Sequence, residues 1–260
     1  MGILNLNTDS FYEGSRVSEM EKLVQRVSEM LEEGADILDL GAVSTRPGGA
    51  WIPEEEEARR LIPFLTQLTR EFPKAVFSID TFRSNIAAQA LDAGAHIIND
   101  ISGGTIDPEL PKVVARYQVP YILMHLRGDF RDMHNPQTYE DLPGEMISEL
   151  SAHLDKAREA GVRDVVLDPG FGFSKNLEQN LALFRNIHRF HQLDCPILIG
   201  VSRKSMIYKT LGTQASEALN GTTALHMAAL MQGAHILRVH DVKEAREVIQ
   251  LFEKLCSPEL

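Results

Sequence analysis

Short apolar runs alternate eight times with longer amphipathic ones, and this alternation limits the fold more than any other feature of the chain. Strands are predicted at Gly2–Leu6, Ile37–Gly41, Ala75–Asp80, His96–Asp100, Tyr121–His125, Val165–Asp168, Ile197–Ser202 and Ile236–His240. None alternates strictly between apolar and polar residues, which is how a strand covered on both faces reads. Helices are predicted at Val17–Glu33, Glu54–Phe72, Ser84–Ala93, Pro108–Tyr117, Glu145–Ala160, Leu177–Phe190, Ser216–Gln232 and Val242–Leu255. Apolar positions in the longer ones recur on one face, for instance Leu61, Phe64, Leu65 and Leu68. The stretch from Gly128 to Gly144 reads as a long loop.

A faint internal repeat supports this reading. Gly34-Ala35-Asp36, Gly94-Ala95-His96, Gly161-Val162-Arg163 and Gly233-Ala234-His235 each close a helix and open an even-numbered strand. Glycine past a helix end takes the left-handed cap conformation without a Cβ penalty. Eight strands alternating with helices in a chain of 260 residues fit an α/β fold of the (β/α)8 TIM-barrel type. An open doubly wound sheet is the rival. No GxGxxG or GxxxxGK[ST] motif follows a strand, which weakens that rival. No linker-like segment divides the chain, so a single domain over residues 1–260 is expected.

Composition excludes several functions. With 26 Lys+Arg against 37 Asp+Glu the net charge is −11, which argues against nucleic acid as a partner. Two cysteines, Cys195 and Cys256, are too few for a disulfide scaffold and fit a reducing compartment. No apolar run is long enough to span a membrane, and no signal peptide is read at the start. A cytoplasmic protein is expected.

Polar residues gather at the predicted C-terminal ends of the strands. Asn5 ends the first, Asp39 with Ser44-Thr45-Arg46 the second, Asp80 the third, and Asn99-Asp100 the fourth. Met124-His125 end the fifth, Asp168 the sixth, Ser202-Arg203-Lys204 the seventh, and Arg238, His240 and Asp241 the eighth. In a barrel these ends share one rim, where active sites lie. Arg46, Arg203, Lys204, Arg238 and His240 make a cationic group in an acidic protein, suited to a phosphate or pyrophosphate. Asp80, Asn99 and Asp168 suit the edge of a flat heterocycle carrying several N–H groups. Asp80 also reads as a cap for the next helix, and Ser10, Asp107 and Ser216 read as helix N-caps. Of Phe171 and Phe173, either could stack on a ring or pack the glycine-rich loop. His188 and His191 read as a solvated face, and no histidine cluster has zinc spacing.

The motifs MGILNLNTDSF, DLGAVSTRPGG, FSIDT, IINDISG, ILMH, VVLDPGFGFSK, ILIGVSRKS and LRVHDV stand in the order found in the dihydropteroate synthase family, which the chain resembles from Met1 to about Val242. The resemblance implies a dimeric (β/α)8 barrel, a sulfonamide target of folate biosynthesis. That transferase joins 6-hydroxymethyl-7,8-dihydropterin pyrophosphate to p-aminobenzoate, with Mg²⁺ accompanying the pyrophosphate. It implies Asp80, Asp168, Lys204 and Arg238 as catalytic residues, and these four with Asn99 and Met124 as the pterin site. It implies Asn5, Arg46, Arg238 and His240 at the pyrophosphate, with Asn5 also at the metal. For p-aminobenzoate it implies Phe11, Thr45, Arg46, Pro47, Phe173, Ser202, Lys204 and Ser205. The sequence departs from the usual pattern at Asn7-Thr8, at Ala42-Val43 and at Ser174. Other readings are a methyltetrahydrofolate-dependent methyltransferase, which would not need Ser202-Arg203-Lys204 beside a diphosphate site, and a noncatalytic phosphometabolite binder.

Overall fold

The computed structural model describes residues 1–6, 16–43, 52–128 and 132–256. Strands and helices alternate in chain order. The first half holds β1 (Gly2–Asn5), α1 (Arg16–Glu32), β2 (Ile37–Gly41), α2 (Glu54–Glu71), β3 (Val76–Asp80), α3 (Ser84–Asp92), β4 (Ile97–Asp100) and α4 (Leu110–Tyr117). The second half holds β5 (Tyr121–Met124), α5 (Leu142–Glu159), β6 (Val165–Asp168), α6 (Leu177–Arg185), β7 (Leu198–Ile199), α7 (Ser205–Leu211), α8 (Leu219–Met231), β8 (Ile236–Leu237) and α9 (Val242–Cys256).

Every strand pair is parallel. β1 to β6 form one sheet in sequential order, and β7 pairs with β8. Isolated bridges between Leu167 and Ile197 and between Gly2 and Val239 connect the two sheets. A doubly wound sheet reverses its strand order at a switch point; this order has no reversal, so that rival falls. The four repeat glycines cap their helices as expected, with φ of 95° at Gly34, 98° at Gly94, 100° at Gly161 and 88° at Gly233.

The main core lies between strands and helices. Val27 and Met30 of α1, Leu61, Leu65 and Leu68 of α2, Phe77 and Ile79 of β3, and Leu150 of α5 are all buried there. A second apolar cluster is built from Ile97, Ile122 and Leu198, with Met1, Ile37, Val76, Val166 and Ile236 packed on it. Seven strands and the residue just before β1 thus each supply one side chain to a single point.

Several boundaries differ from expectation for local reasons. α5 starts at Leu142 because Pro143 and Gly144 occupy its first turn, where the missing proline N–H costs nothing. α6 ends at Arg185, and a 3-10 turn at Ile187–Leu193 carries the exposed His188 and His191. α7 was not expected, since seven residues hold too little periodicity to be seen. Ser216 does not cap α8; it lies inside a 3-10 turn at Ala215–Glu217. Asp107 is not the N-cap of α4 either, because Glu109 holds that position. Its carboxylate accepts from Ser84 N at 2.7 Å and Glu109 N at 3.1 Å, tying the starts of α3 and α4 together. Ser10 lies outside the described residues. Among those described, no helix is long and apolar enough to cross a membrane.

Candidate active site

Strand periodicity assembles the site. Side chains two residues apart face the same way along a strand. Two residues beyond the interior apolar cluster come Ile3, Asp39, Ser78, Asn99, Met124, Asp168, Gly200 and Arg238. Two further on stand Asn5, Gly41, Asp80, Ser202 and His240. The apolar level therefore supports a polar one, at the C-terminal ends of the strands.

Arg238 organises that level. Its Nε donates to Asp39 Oδ2 at 2.7 Å, and its Nη2 lies 2.6 Å from the same oxygen and 2.8 Å from Asp80 Oδ2. Asn99 Nδ2 also donates to Asp39 Oδ2, at 3.0 Å. One carboxylate oxygen thus gathers two side chains. It leaves Arg238 Nη1 and Asn99 Oδ1 without partners among the described residues. Asp39 Oδ1 and Ser78 Oγ are likewise buried without one. Asp80 is therefore not a helix cap: it is held by Arg238, and α3 starts with Arg83 as its N-cap.

Burial sets the electrostatics. It pushes the Asp80 carboxyl up to about 7, against the pull of Arg238 and with the added repulsion of Asp39. Asp168 is also raised by burial, which Lys204 opposes. Burial lowers Lys204 to about 8, although Asp168 draws it up. For Arg238 burial works toward deprotonation, yet the Asp39 and Asp80 carboxylates hold it firmly charged.

Asp168 Oδ1 accepts from Gly170 N at 2.7 Å, which fixes the carboxylate. Lys204 Nζ donates to the Phe171 carbonyl and lies 4.8 Å from the Phe173 ring centroid. The two phenylalanines separate here. Phe171 is fully buried and packs on Phe184 with centroids 5.9 Å apart, whereas Phe173 is half-buried and stacks on His134. Gly200 leaves room between cation and carboxylate: a Cβ there would sit 3.9 Å from Arg238 Cβ and 4.0 Å from Asp168 Oδ2.

The remaining residues divide. Met124 is buried with Phe82, Ile101, Leu126 and Met133, beside Phe173. Ser202 Oγ accepts from His240 N at 3.2 Å and lies 3.0 Å from His240 Nδ1. Ser205 opens α7. Asn5 ends β1 with an exposed side chain that takes no hydrogen bond among the described residues. Arg203 is a correction. It does not join the cationic group, because Asp241 binds it through Nε at 2.8 Å and Nη2 at 2.9 Å, and Nη1 reaches the Ala215 and Ser216 carbonyls. Phe11, Ser44, Thr45, Arg46 and Pro47 lie outside the described residues, as do Asn7 and Thr8. Among the described residues no group of three or more His, Cys, Asp or Glu could hold a metal ion.

Sequence reading placed Asp39 at the rim but gave it no task. Its signal was the two-residue step from Ile37 that aligns it with Asn99 and Asp168. Lys175 was also passed over; nothing local marks it as buried.

The comparisons agree with this geometry. A family model described as pterin binding enzyme matches residues 1–240. The dihydropteroate synthase of Synechocystis sp. is 42% identical over 258 residues, covering 98% of this chain and 89% of that protein. The crystal structure of dihydropteroate synthase from Clostridium difficile, obtained in the presence of pteroic acid, superposes with a TM-score of 0.92 at 34% identity, covering 98% of this chain and 95% of that one. The Thermus thermophilus enzyme in complex with 4-aminobenzoate has a TM-score of 0.86 at 40% identity, with 98% and 93% coverage. With the family pattern matched along nearly the whole chain and the polar level in place beneath it, this chain belongs to the dihydropteroate synthase family of pterin-binding enzymes.

Proposed function

We infer that the chain condenses 6-hydroxymethyl-7,8-dihydropterin pyrophosphate with p-aminobenzoate, giving 7,8-dihydropteroate and pyrophosphate. The observation that carries this reading is the polar cluster in which Arg238 binds Asp39 and Asp80, Asn99 binds Asp39, and Asp168 and Lys204 stand beside them. Asp80, Asn99 and Asp168 take the N–H groups of the pterin edge, and Met124 lines the ring. Arg238 lies against the ring and reaches the diphosphate, which Arg46, His240 and Asn5 also hold. The p-aminobenzoate pocket is formed by Phe11, Thr45, Arg46, Pro47, Phe173, Ser202, Lys204 and Ser205. The complex of the Thermus relative with 4-aminobenzoate supports that second pocket.

The chemistry follows from charge. As the methylene–oxygen bond breaks, its electron pair leaves with the diphosphate, and Arg238, Arg46 and His240 stabilise the growing negative charge. Positive charge on the pterin methylene is offset by Asp80 and Asp168. The neutral arylamine nitrogen then bonds to the methylene carbon and releases its proton to the pyrophosphate or to water. Such a nucleophile needs no strong base. The exposed Asn5 side chain, which takes no hydrogen bond among the described residues, would offer one oxygen to a hydrated Mg²⁺ held mainly by the diphosphate, and that ion would neutralise leaving-group charge.

The sequential strand order and the shared interior cluster support a (β/α)8 TIM barrel, a single domain over residues 1–260. A cytoplasmic homodimer acting on small molecules goes with this reading, and the net charge of −11 supports setting nucleic acid aside. The test supplies the pterin pyrophosphate, Mg²⁺ and p-aminobenzoate and follows both products. Pyrophosphate and dihydropteroate should appear in equal amounts, each dependent on p-aminobenzoate. Binding without turnover would overturn the assignment, as would methyl transfer from methyltetrahydrofolate.

A further inference from the structure

Lys175 is a buried lysine with no carboxylate in hydrogen-bond reach among the described residues. Its side chain is 5% exposed, and each direction of its ammonium meets a partner. Nζ donates to the Gly170 carbonyl at 3.1 Å and to the Phe173 carbonyl at 3.0 Å, and lies 3.4 Å from His125 Nδ1. With Nδ1 accepting from the ammonium, the His125 proton sits on Nε2, which meets Glu149 Oε2 at 2.9 Å. Glu149 is in turn gripped by Arg127. Lys175 thus ends a chain of bonds that runs from α5 under β5 to the loop after β6.

That loop carries site residues at successive positions. Gly170 N holds Asp168, the Phe171 carbonyl holds Lys204, and the Phe173 ring lies under the Lys204 ammonium. Its geometry leaves little slack. Gly170 has φ 70°, and a Cβ there would run into the His125 carbonyl. Ser174 also takes a left-handed conformation, with φ 54°. The Gly170 carbonyl also closes a turn by accepting from Phe173 N at 3.2 Å. The Phe173 carbonyl has no other donor among the described residues and needs one, and Lys175 supplies it while bridging back to Gly170. Burial draws the lysine down to about 7, so the hub sits near its own titration and is not simply a fixed surface charge.

We propose that Lys175 is a positioning residue for the second substrate: by gathering the Gly170 and Phe173 carbonyls it sets the Phe173 ring and the Phe171 carbonyl against Lys204. This rests on the assignment of Phe173 and Lys204 to the p-aminobenzoate pocket. Asp168 keeps its own bond to Gly170 N, so the pterin side is held separately.

The test compares Lys175→Met, which keeps a long unbranched stem without donors, with Lys175→Arg, which keeps charge and donors. Lys175→Met should raise KM for p-aminobenzoate at least about tenfold while the Kd for the pterin pyrophosphate changes by less than about threefold. Lys175→Arg should recover part of the KM. Equal loss on both substrates with a lowered melt, no recovery in the arginine variant, or failure of both variants to fold would make Lys175 a structural residue and overturn the proposal. An unchanged KM in folded Lys175→Met would overturn it as well. If wild-type protein releases no pyrophosphate in response to p-aminobenzoate, the underlying assignment fails instead, and this wild-type assay, run before the variants, separates the two failures.

Discussion

The two sheets contribute opposite halves of the site. Asp39, Asp80, Asn99 and Asp168 stand on β2, β3, β4 and β6, within the six-stranded sheet. Lys204 and Arg238 follow β7 and β8, a pair whose ladder spans two residues per strand. The difference has a physical reason. Aspartate and asparagine have short side chains, so the backbone must place them, and a regular ladder does so. Lysine and arginine have long stems, so the chain can leave the ladder and the head group still arrives. Beyond Ile199 the chain passes through Arg203, at φ 52°, and presents Lys204 at the start of α7. Arg238 N still donates to Ile199 O at 3.0 Å, so pairing fades there and does not stop abruptly.

Four substitutions would break or sharpen this contrast. The largest effect is expected on the ladder side. Asp168→Asn places a donor where the pterin edge needs an acceptor, and the affinity for the pterin pyrophosphate should fall roughly hundredfold, about 2.7 kcal/mol. Titration calorimetry reads this directly, and unchanged affinity would remove Asp168 from the pterin site.

The next concerns α8. Its His226 is buried, and Nε2 has no hydrogen-bond partner among the described residues. Burial lowers this imidazole from 6.5 to about 4. The unfolded ring therefore binds a proton at a higher pH than the folded one, and stability falls as pH drops through that window. At pH 5 the loss should be about 2 kcal/mol from this group alone. His226→Met should match wild type near neutral pH and gain on it toward pH 5 in urea unfolding. Parallel curves for the two proteins would show that His226 does not carry the acid loss.

Arg238→Lys tests the cationic side. A lysine ammonium cannot span Asp39 and Asp80 while lying flat on a ring. We expect kcat/KM to fall at least about tenfold, roughly 1.4 kcal/mol, with the fold retained. A lowered melt with normal turnover would confine Arg238 to pairing Asp39 and Asp80. The smallest effect belongs to Gly200→Ala. Its added methyl meets only ordinary contacts, 3.9 Å from Arg238 Cβ, so the melt should not move. The methyl narrows the space between the two halves, and KM for the pterin pyrophosphate should rise about fivefold. Equal KM values would place the ligand away from Gly200.

The element order was legible from sequence because its signals are local. Glycine caps at Gly34, Gly94, Gly161 and Gly233 and apolar runs between them need no knowledge of distant residues. The same holds for Asp80, Asn99 and Asp168, each at the end of such a run. β7 and β8 fall within the runs read at Ile197–Ser202 and Ile236–His240, but their ladder is only two residues long, and α7 was not legible, since seven residues give no reliable period. Phe171 and Phe173 show the limit most clearly. Both are aromatics in one glycine-rich loop, and only the packed structure sends the first into the core and the second to the Lys204 ammonium.

By itself the sequence determined the alternation of strands and helices, the rim on which the chemistry stands and the family pattern along it. All of these are written in spacing along the chain. Tertiary structure decided which charges meet. Arg238 takes Asp39 from 199 positions away, Arg203 is drawn off by Asp241, and Lys175 turns inward beneath its own loop. Spacing can bring several partners within reach of a long cationic side chain. Which of them it binds depends on burial and on how many carboxylate oxygens and carbonyls converge at one point, and that is set only when the strands pack.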